Sequence, residues 1–140
     1  MILFRSMGLE DLSPILQNDA LKPLLTVAPK GEKWGIVLEI GGSILGGITG
    51  YYEYELGKKR AYVQCLRLVN ELDTPQYRDG MLRSAINKVD LEEAYDLFCP
   101  QEIVSNLRAI GFRKTEESEL LYLNTKEFFS RGHAHEAVVQ

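Results

Sequence analysis

The stretch AYVQCLRLV, Ala61 to Val69, constrains this chain more than any other. Tyr62, Gln64, Leu66 and Leu68 alternate with Ala61, Val63, Cys65, Arg67 and Val69, so it reads as a strand whose two faces are both largely apolar. Such a strand needs cover above and below, which predicts a central place in a sheet with helices on both sides. The 140 residues and 45% hydrophobic content suffice for one compact domain with its own core.

The surrounding pattern supplies the rest of that domain, expected over residues 1–128. Ile2 to Arg5 reads as a short strand, and Asp11-Leu-Ser-Pro14 as a helix entry capped by Asp11. A weaker helix is expected over Ala20 to Leu25. Gly35 to Ile40 and Ser43 to Glu55 form a hairpin about Gly41-Gly42, which readily takes positive φ. Gly46, Gly47 and Gly50 inside the second run predict a bulge or a close backbone approach. Met81, Leu82, Ala85, Ile86 and Val89 recur at helical spacing, which puts Arg83, Ser84, Asn87 and Lys88 on the polar face. Glu93 to Phe98 reads as a strand, and Cys99-Pro100 as the start of a helix with Ile103, Val104, Leu107 and Ile110 inside and Gly111 as its stop. Phe112 to Thr115 and Leu120 to Asn124 read as the last strands, the latter as an edge for pairing in a homodimer. Residues 129–140 read as a mobile tail.

Charge and special residues narrow the function. A formal net charge of −4 argues against a nucleic-acid partner, since binding a phosphate backbone usually needs a clustered basic surface. The opening MILFRSMGLEDL has only a few apolar residues before Arg5, so it reads as neither a secretory signal nor a membrane span, and a cytoplasmic location with no membrane partner is expected. Cys65 and Cys99 lie in apolar runs and suit buried thiols. At a helix start the Cys99 thiol would ionise more easily, whereas burial would act the other way. His133 and His135 form an H-x-H pair without a third ligand, so no metal site is expected.

The order of elements, together with ILFRSMGLEDLSPIL, EIGGSILGGITGYYE and NLRAIGF, resembles the GNAT family of acetyl-CoA-dependent N-acetyltransferases over residues 2 to 125. The resemblance implies an α+β (mixed α/β) fold: a twisted, mostly antiparallel sheet of six to seven strands flanked by about four helices. It also implies acetyl-CoA as co-substrate and a small-molecule or peptide amine as acceptor. In that family the fourth and fifth strands part to admit the pantetheine arm, here held by the backbone of Leu68 and Val69. The diphosphate sits on free N–H groups where the next helix begins. The family's Q/R-x-x-G-x-G/A loop falls on Tyr77-Arg78-Asp79-Gly80-Met81-Leu82, which keeps the middle glycine. Arg78 and Arg83 suit a phosphate, whereas Asp79 would cap the same N–H groups and repel one. The family's acid tyrosine and its asparagine fall on Leu107 and Pro100, neither of which carries a transferable proton. The general base is then sought in Glu71 or Asp73, just after the central strand, and the acid in Tyr77 or Tyr62. The alternative is a GNAT-shaped module without chemistry, an acyl-CoA sensor or a dimerising interaction domain.

Overall fold

The computed structural model describes residues 1–116 and 118–131. Seven strands form one sheet: β1 (Ile2–Ser6), β2 (Glu32–Ile40), β3 (Ser43–Glu55), β4 (Lys58–Leu68), β5 (Asp96–Cys99), β6 (Arg113–Thr115) and β7 (Ser118–Asn124). Their order is β1-β2-β3-β4-β5-β7-β6, so the doubly apolar strand is central, as its sequence requires. Every neighbouring pair is antiparallel except β4 with β5. The strand expected at an edge, Leu120 to Asn124, instead lies between β5 and β6, because the β6 segment Arg113–Thr115 folds back to cover it. The free edges are β1 and β6.

Among the described residues four α-helices accompany the sheet: α1 (Leu12–Leu16), α2 (Pro75–Leu91), α3 (Leu107–Ile110) and α4 (Thr125–Ser130). The larger core packs α2 residues Met81, Leu82, Ala85, Ile86 and Val89 against Ile36, Ile48, Val63 and Leu97 of the sheet. A smaller one on the opposite face joins Ile15, Leu21 and Leu24 to Val37, with Cys65 and Val69 packed beside it. The weaker helix expected at Ala20 is a 3-10 turn at Lys22–Leu25. Ser84 and Asn87, expected on the polar face of α2, are buried, and the Ser84 hydroxyl donates to the Gly80 carbonyl at 2.9 Å. With α4 on one side and the sheet on the other, α2 is enclosed more widely than an apolar stripe alone suggests. The sequence reading missed α4: the Asn124 side chain accepts from the Glu127 N–H, and Phe128 is buried. Phe129 and Ser130, assigned to the tail, therefore belong to a helix, while His133 and His135 lie outside the described residues.

The Gly41-Gly42 turn takes φ of 57° and 86°, as expected. Gly50 meets a closer limit. A Cβ there would lie 1.9 Å from the Tyr62 carbonyl oxygen and 2.4 Å from the Trp34 ring. Next to it the β3–β4 register shifts, with Thr49 facing Cys65 and Gly50 facing Val63, so Gln64 is the extra residue of a bulge in β4.

Asp11 does not cap α1. Its carboxylate takes the Arg5 guanidinium at 2.9 and 2.8 Å and the Gly8 N–H at 2.7 Å, joining β1 to the following turn. Arg5 above all holds this carboxyl below its ordinary value of 3.8, outweighing burial, which acts the other way. A depressed folded value means the stabilisation is full above the unfolded value and is lost as pH falls through the folded one. Acid unfolding followed by circular dichroism is therefore expected to show a loss of stability below about pH 3.8 that Asp11→Asn largely lacks. Identical acid limbs in the two proteins would refute that role.

Candidate functional site

The parallel seam at the centre of the sheet is short. Arg60, Ala61 and Tyr62 face Asp96, Leu97 and Phe98, and the pairing then stops. Strand β4 runs on from Val63 to Leu68, while Cys99, the last residue of β5, pairs only with Leu121 of β7. The two strands thus part like a wedge, six residues or about 20 Å deep at the rise of an extended strand. Among the described residues, no backbone hydrogen bond from another segment reaches that side of β4. The Val69 N–H donates to the Leu45 carbonyl at 3.0 Å on the β3 side, so the amide of Leu68 faces the wedge.

At the wide mouth stands the first turn of α2. Thr74 is its N-cap and accepts from the Tyr77 N–H at 3.3 Å, while Pro75 at the first position brings no N–H at all. The Arg78 N–H donates to the Thr74 carbonyl at 3.0 Å. Of the first-turn donors, only Gln76 lacks a recorded partner among the described residues. Two nearby cations are also held by the chain itself. Arg78 forks onto Asp73 at 2.6 and 3.2 Å and donates to the Ile103 carbonyl at 2.8 Å, and Arg83 pairs with Asp79 at 2.8 Å. The Asp73 carboxyl lies below its ordinary value, chiefly through the Arg78 hydrogen bond.

The Ile103 contact explains why the helix expected from Cys99 to Ile110 is reduced to Leu107–Ile110. The carbonyl that would take a helical N–H one turn later takes the Arg78 guanidinium instead, and Ile103 and Val104 both turn into the core. Residues 100–106 thereby form a strap across the mouth, fastened again where the Asn106 amide donates to Asp79 at 3.0 Å. Cys99, just before the strap, is buried, and burial pushes its thiol up to about 12, so the reactive reading of that cysteine fails.

At the closed end, Tyr62 and Phe98 form the last pair of the seam, and both side chains stand on the face opposite α2. They belong to a row of rings from four adjacent strands. Tyr51 stacks on Tyr62 at 5.0 Å, Tyr62 on Phe98 at 5.0 Å, and Phe98 meets Tyr122 at 5.3 Å. Arg60 lies over Phe98 with its Cζ 5.8 Å from the ring centre, and the Tyr122 hydroxyl donates to Asp96 at 2.6 Å.

No protein-family model matches this sequence, and no curated protein does. Solved structures do. A GNAT family acetyltransferase from Brucella melitensis in complex with acetyl-CoA superposes with a TM-score of 0.67 at 14% identity, covering 89% of this chain and 88% of that one. The chain has the GNAT fold. N-acetylglutamate synthase from Neisseria gonorrhoeae, complexed with coenzyme A and N-acetyl-glutamate, gives 0.61 at 18% identity over 94% of this chain and 33% of that one. The AtaT-AtaR complex bound to DNA gives 0.65 at 16% identity over 95% and 99%.

Within this GNAT fold, the site residues expected from sequence fall into two groups. Arg78, Asp79, Gly80, Met81 and Arg83 lie inside α2, not in a loop before it, because the helix begins at Pro75. Asp79 therefore does not cap the helix start, and Gly80 serves packing: a Cβ there would lie 3.0 Å from the Phe4 ring. Met81 is fully buried, Leu68 lies in the larger core, and Val69 packs beside the smaller one. Glu71 is exposed in a 3-10 turn at Asn70–Leu72, Asp73 is held by Arg78, and Tyr77 packs against the larger core. These gather at the mouth, whereas Tyr62 stands at the closed end. Sequence reading missed Thr74, although Thr-Pro is itself a helix-start signal. It also missed Asp96, Phe98 and Tyr122, which only the sheet order brings beside Tyr62.

Proposed function

We propose that this chain binds an acyl-CoA in the wedge and transfers its acetyl group to an amine. One observation carries the reading: β4 leaves its parallel partner after three residues and exposes an unladdered edge to a slot about the right shape for a slender amide-bearing arm. The amide of Leu68 and its neighbours would hold the pantetheine, with the thioester toward Tyr62 and Phe98. The amine nitrogen then attacks the thioester carbonyl, the C–S bond breaks, the amine gives up a proton and the departing thiolate takes one. Tyr62 stands near that end as a proton donor. Glu71 and Asp73 are about 20 Å away along β4, beyond the reach of a general base, so in this reading the amine gives its proton to solvent. Most of the acceleration would come from positioning, which can supply about 7 kcal/mol or more. The acceptor is read as a small-molecule or peptide amine. The expectation of no nucleic-acid partner, drawn from the net charge, is not supported by the comparisons, since a neighbour of the same fold occurs in a DNA-bound complex.

A second reading, a sensor or interaction module that does no chemistry, is favoured by Pro100 and Leu107 standing where the family has proton-bearing groups, and by the arginines already held at the mouth. Isothermal titration with acetyl-CoA and desulfo-CoA, followed by a thiol-release assay across a panel of amines, separates the two. Binding of both ligands with amine-dependent thiol release is the expected result. Binding without release favours the sensor, and no binding of either ligand ends both acyl-CoA readings.

A further inference from the structure

We infer that the cavity of about 570 Å³ between α1, the Lys22–Leu25 turn and the start of β2 is a binding site for an amphipathic carboxylate, an acid with an aliphatic or aromatic body. Its size falls within the range of small-ligand pockets. It is lined by Met7, Leu12, Ser13, Leu16, Leu25 and Lys33. None of these belongs to β4, β5 or α2, so the site stands apart from the wedge and does not rest on the acyl-CoA reading. Gly35 makes the room for it. The Met7 N–H donates to the Gly35 carbonyl at 2.9 Å, and a Cβ on Gly35 would come within 3.2 Å of the Met7 side chain, so Met7 lies close against the sheet as a floor. On α1, Ile15 turns into the smaller core, which leaves Leu12 and Leu16, one helical turn apart, as a wall. They are 42% and 57% exposed, an apolar surface in water that a ligand's body would cover.

The polar groups decide what that ligand carries. Lys33 is the one charged side chain among the described lining residues. Its Nζ donates to the Leu24 carbonyl at 2.8 Å and to the Thr26 carbonyl at 2.7 Å, which fixes the ammonium and leaves one of its three N–H groups to spare. Among the described residues no carboxylate lies within ion-pair distance of it. Although Lys33 as a whole is exposed, its ammonium end is tucked against the turn, and the loss of water there holds it below its ordinary value. A cation partly stripped of water and left without a counter-ion gains from an anion. Ser13 is the other polar residue of the lining. Its oxygen accepts from the Gln17 amide at 3.4 Å, so its O–H is left to donate. A carboxylate head would therefore find donors, whereas a cationic head would meet Lys33 and no opposing charge.

Octanoate and octylamine share a body and carry opposite charges, and titration with each, in the absence of acyl-CoA, tests the inference by calorimetry and methyl NMR. Octanoate is expected to shift the methyl resonances of Met7, Leu12, Leu16 and Leu25 and to bind at least about tenfold more tightly than octylamine. Lys33→Met is expected to weaken octanoate binding about tenfold. Because that variant also takes a donor from two carbonyls, Leu16→Glu is the second: Leu16 is half exposed, so the fold tolerates the change, and a carboxylate in the wall should likewise cost about tenfold in octanoate affinity. Equal or tighter binding of octylamine overturns the inference and needs no variant. Unaltered octanoate affinity in a folded Lys33→Met overturns it as well, as do shifts confined to β4 and β5, which would put the ligand in the wedge. Sedimentation supplies the last arm: a dimer that both probes disperse alike would give this face to a second copy of the chain instead. A protein that binds octanoate here but never acetyl-CoA leaves this site standing and removes the transferase.

Discussion

Gly50→Ala is expected to be the most damaging single methyl that this chain can receive in its sheet. The added carbon would lie 1.9 Å from the Tyr62 carbonyl oxygen, and neither the backbone of β4 nor the Trp34 ring at 2.4 Å is a flexible side-chain end that can swing away. Trp34 is buried, and its indole N–H donates to the Tyr51 carbonyl at 3.3 Å, so moving the ring also disturbs a strand contact. Overpacking of this kind costs about 3 kcal/mol or more. For a chain of this length that is a fall of about 10 °C in the unfolding midpoint. Thermal unfolding by circular dichroism checks it. A fall under about 3 °C would mean that β3 and β4 can separate freely at this point. Because Gly50 adjoins the bulge at Gln64, any variant that survives should also lose acyl-CoA affinity.

The second large effect runs in the opposite direction. Asp73→Asn is expected to tighten coenzyme A binding about tenfold, the difference made by one additional charge-assisted contact. Asp73 holds Arg78 through two hydrogen bonds at the mouth of the wedge and adds a negative charge there. Removing that charge leaves Arg78 with the Ile103 carbonyl and one neutral amide oxygen as partners, and frees part of its guanidinium for a diphosphate. The loss of stability should stay under about 1 kcal/mol, since the pair is substantially exposed. Titration with desulfo-CoA reads the outcome directly. Unaltered or weaker affinity would show that the diphosphate does not meet Arg78, and the start of α2 would have to be given up as its seat.

These expectations show which parts of the molecule could be read from the chain. The central place of β4 was legible because alternation with both faces apolar has one solution in a sheet, and the Gly41-Gly42 turn because two glycines there tolerate positive φ. The start of α2 is at Pro75, before the Tyr77–Leu82 motif: Thr74-Pro75 carries the stronger local signal, and Gly80, expected as the middle glycine of a phosphate loop, is small to admit Phe4. The helix expected after Cys99 failed for a reason no local pattern contains: Arg78, some 25 positions earlier, takes the Ile103 carbonyl. The row of rings was equally hidden. Tyr51, Tyr62, Phe98 and Tyr122 are scattered through the chain, and only the crossover that brings β7 beside β5 lines them up.

The brevity of the β4–β5 seam has a mechanical meaning. Two well-laddered halves, β1 to β4 and β5 to β7, are joined at the sheet by three residue pairs, while α2 bridges them from one side. The far end of α2 is anchored to the first half, where the Tyr52 hydroxyl donates to Glu92 and Lys59 reaches the Glu92 carbonyl at 2.9 Å. Its near end meets the second half through two hydrogen bonds to the strap and through the shared core. A guest entering the wedge therefore meets the sheet at its narrowest join, and can lodge there without breaking a ladder rung in either panel.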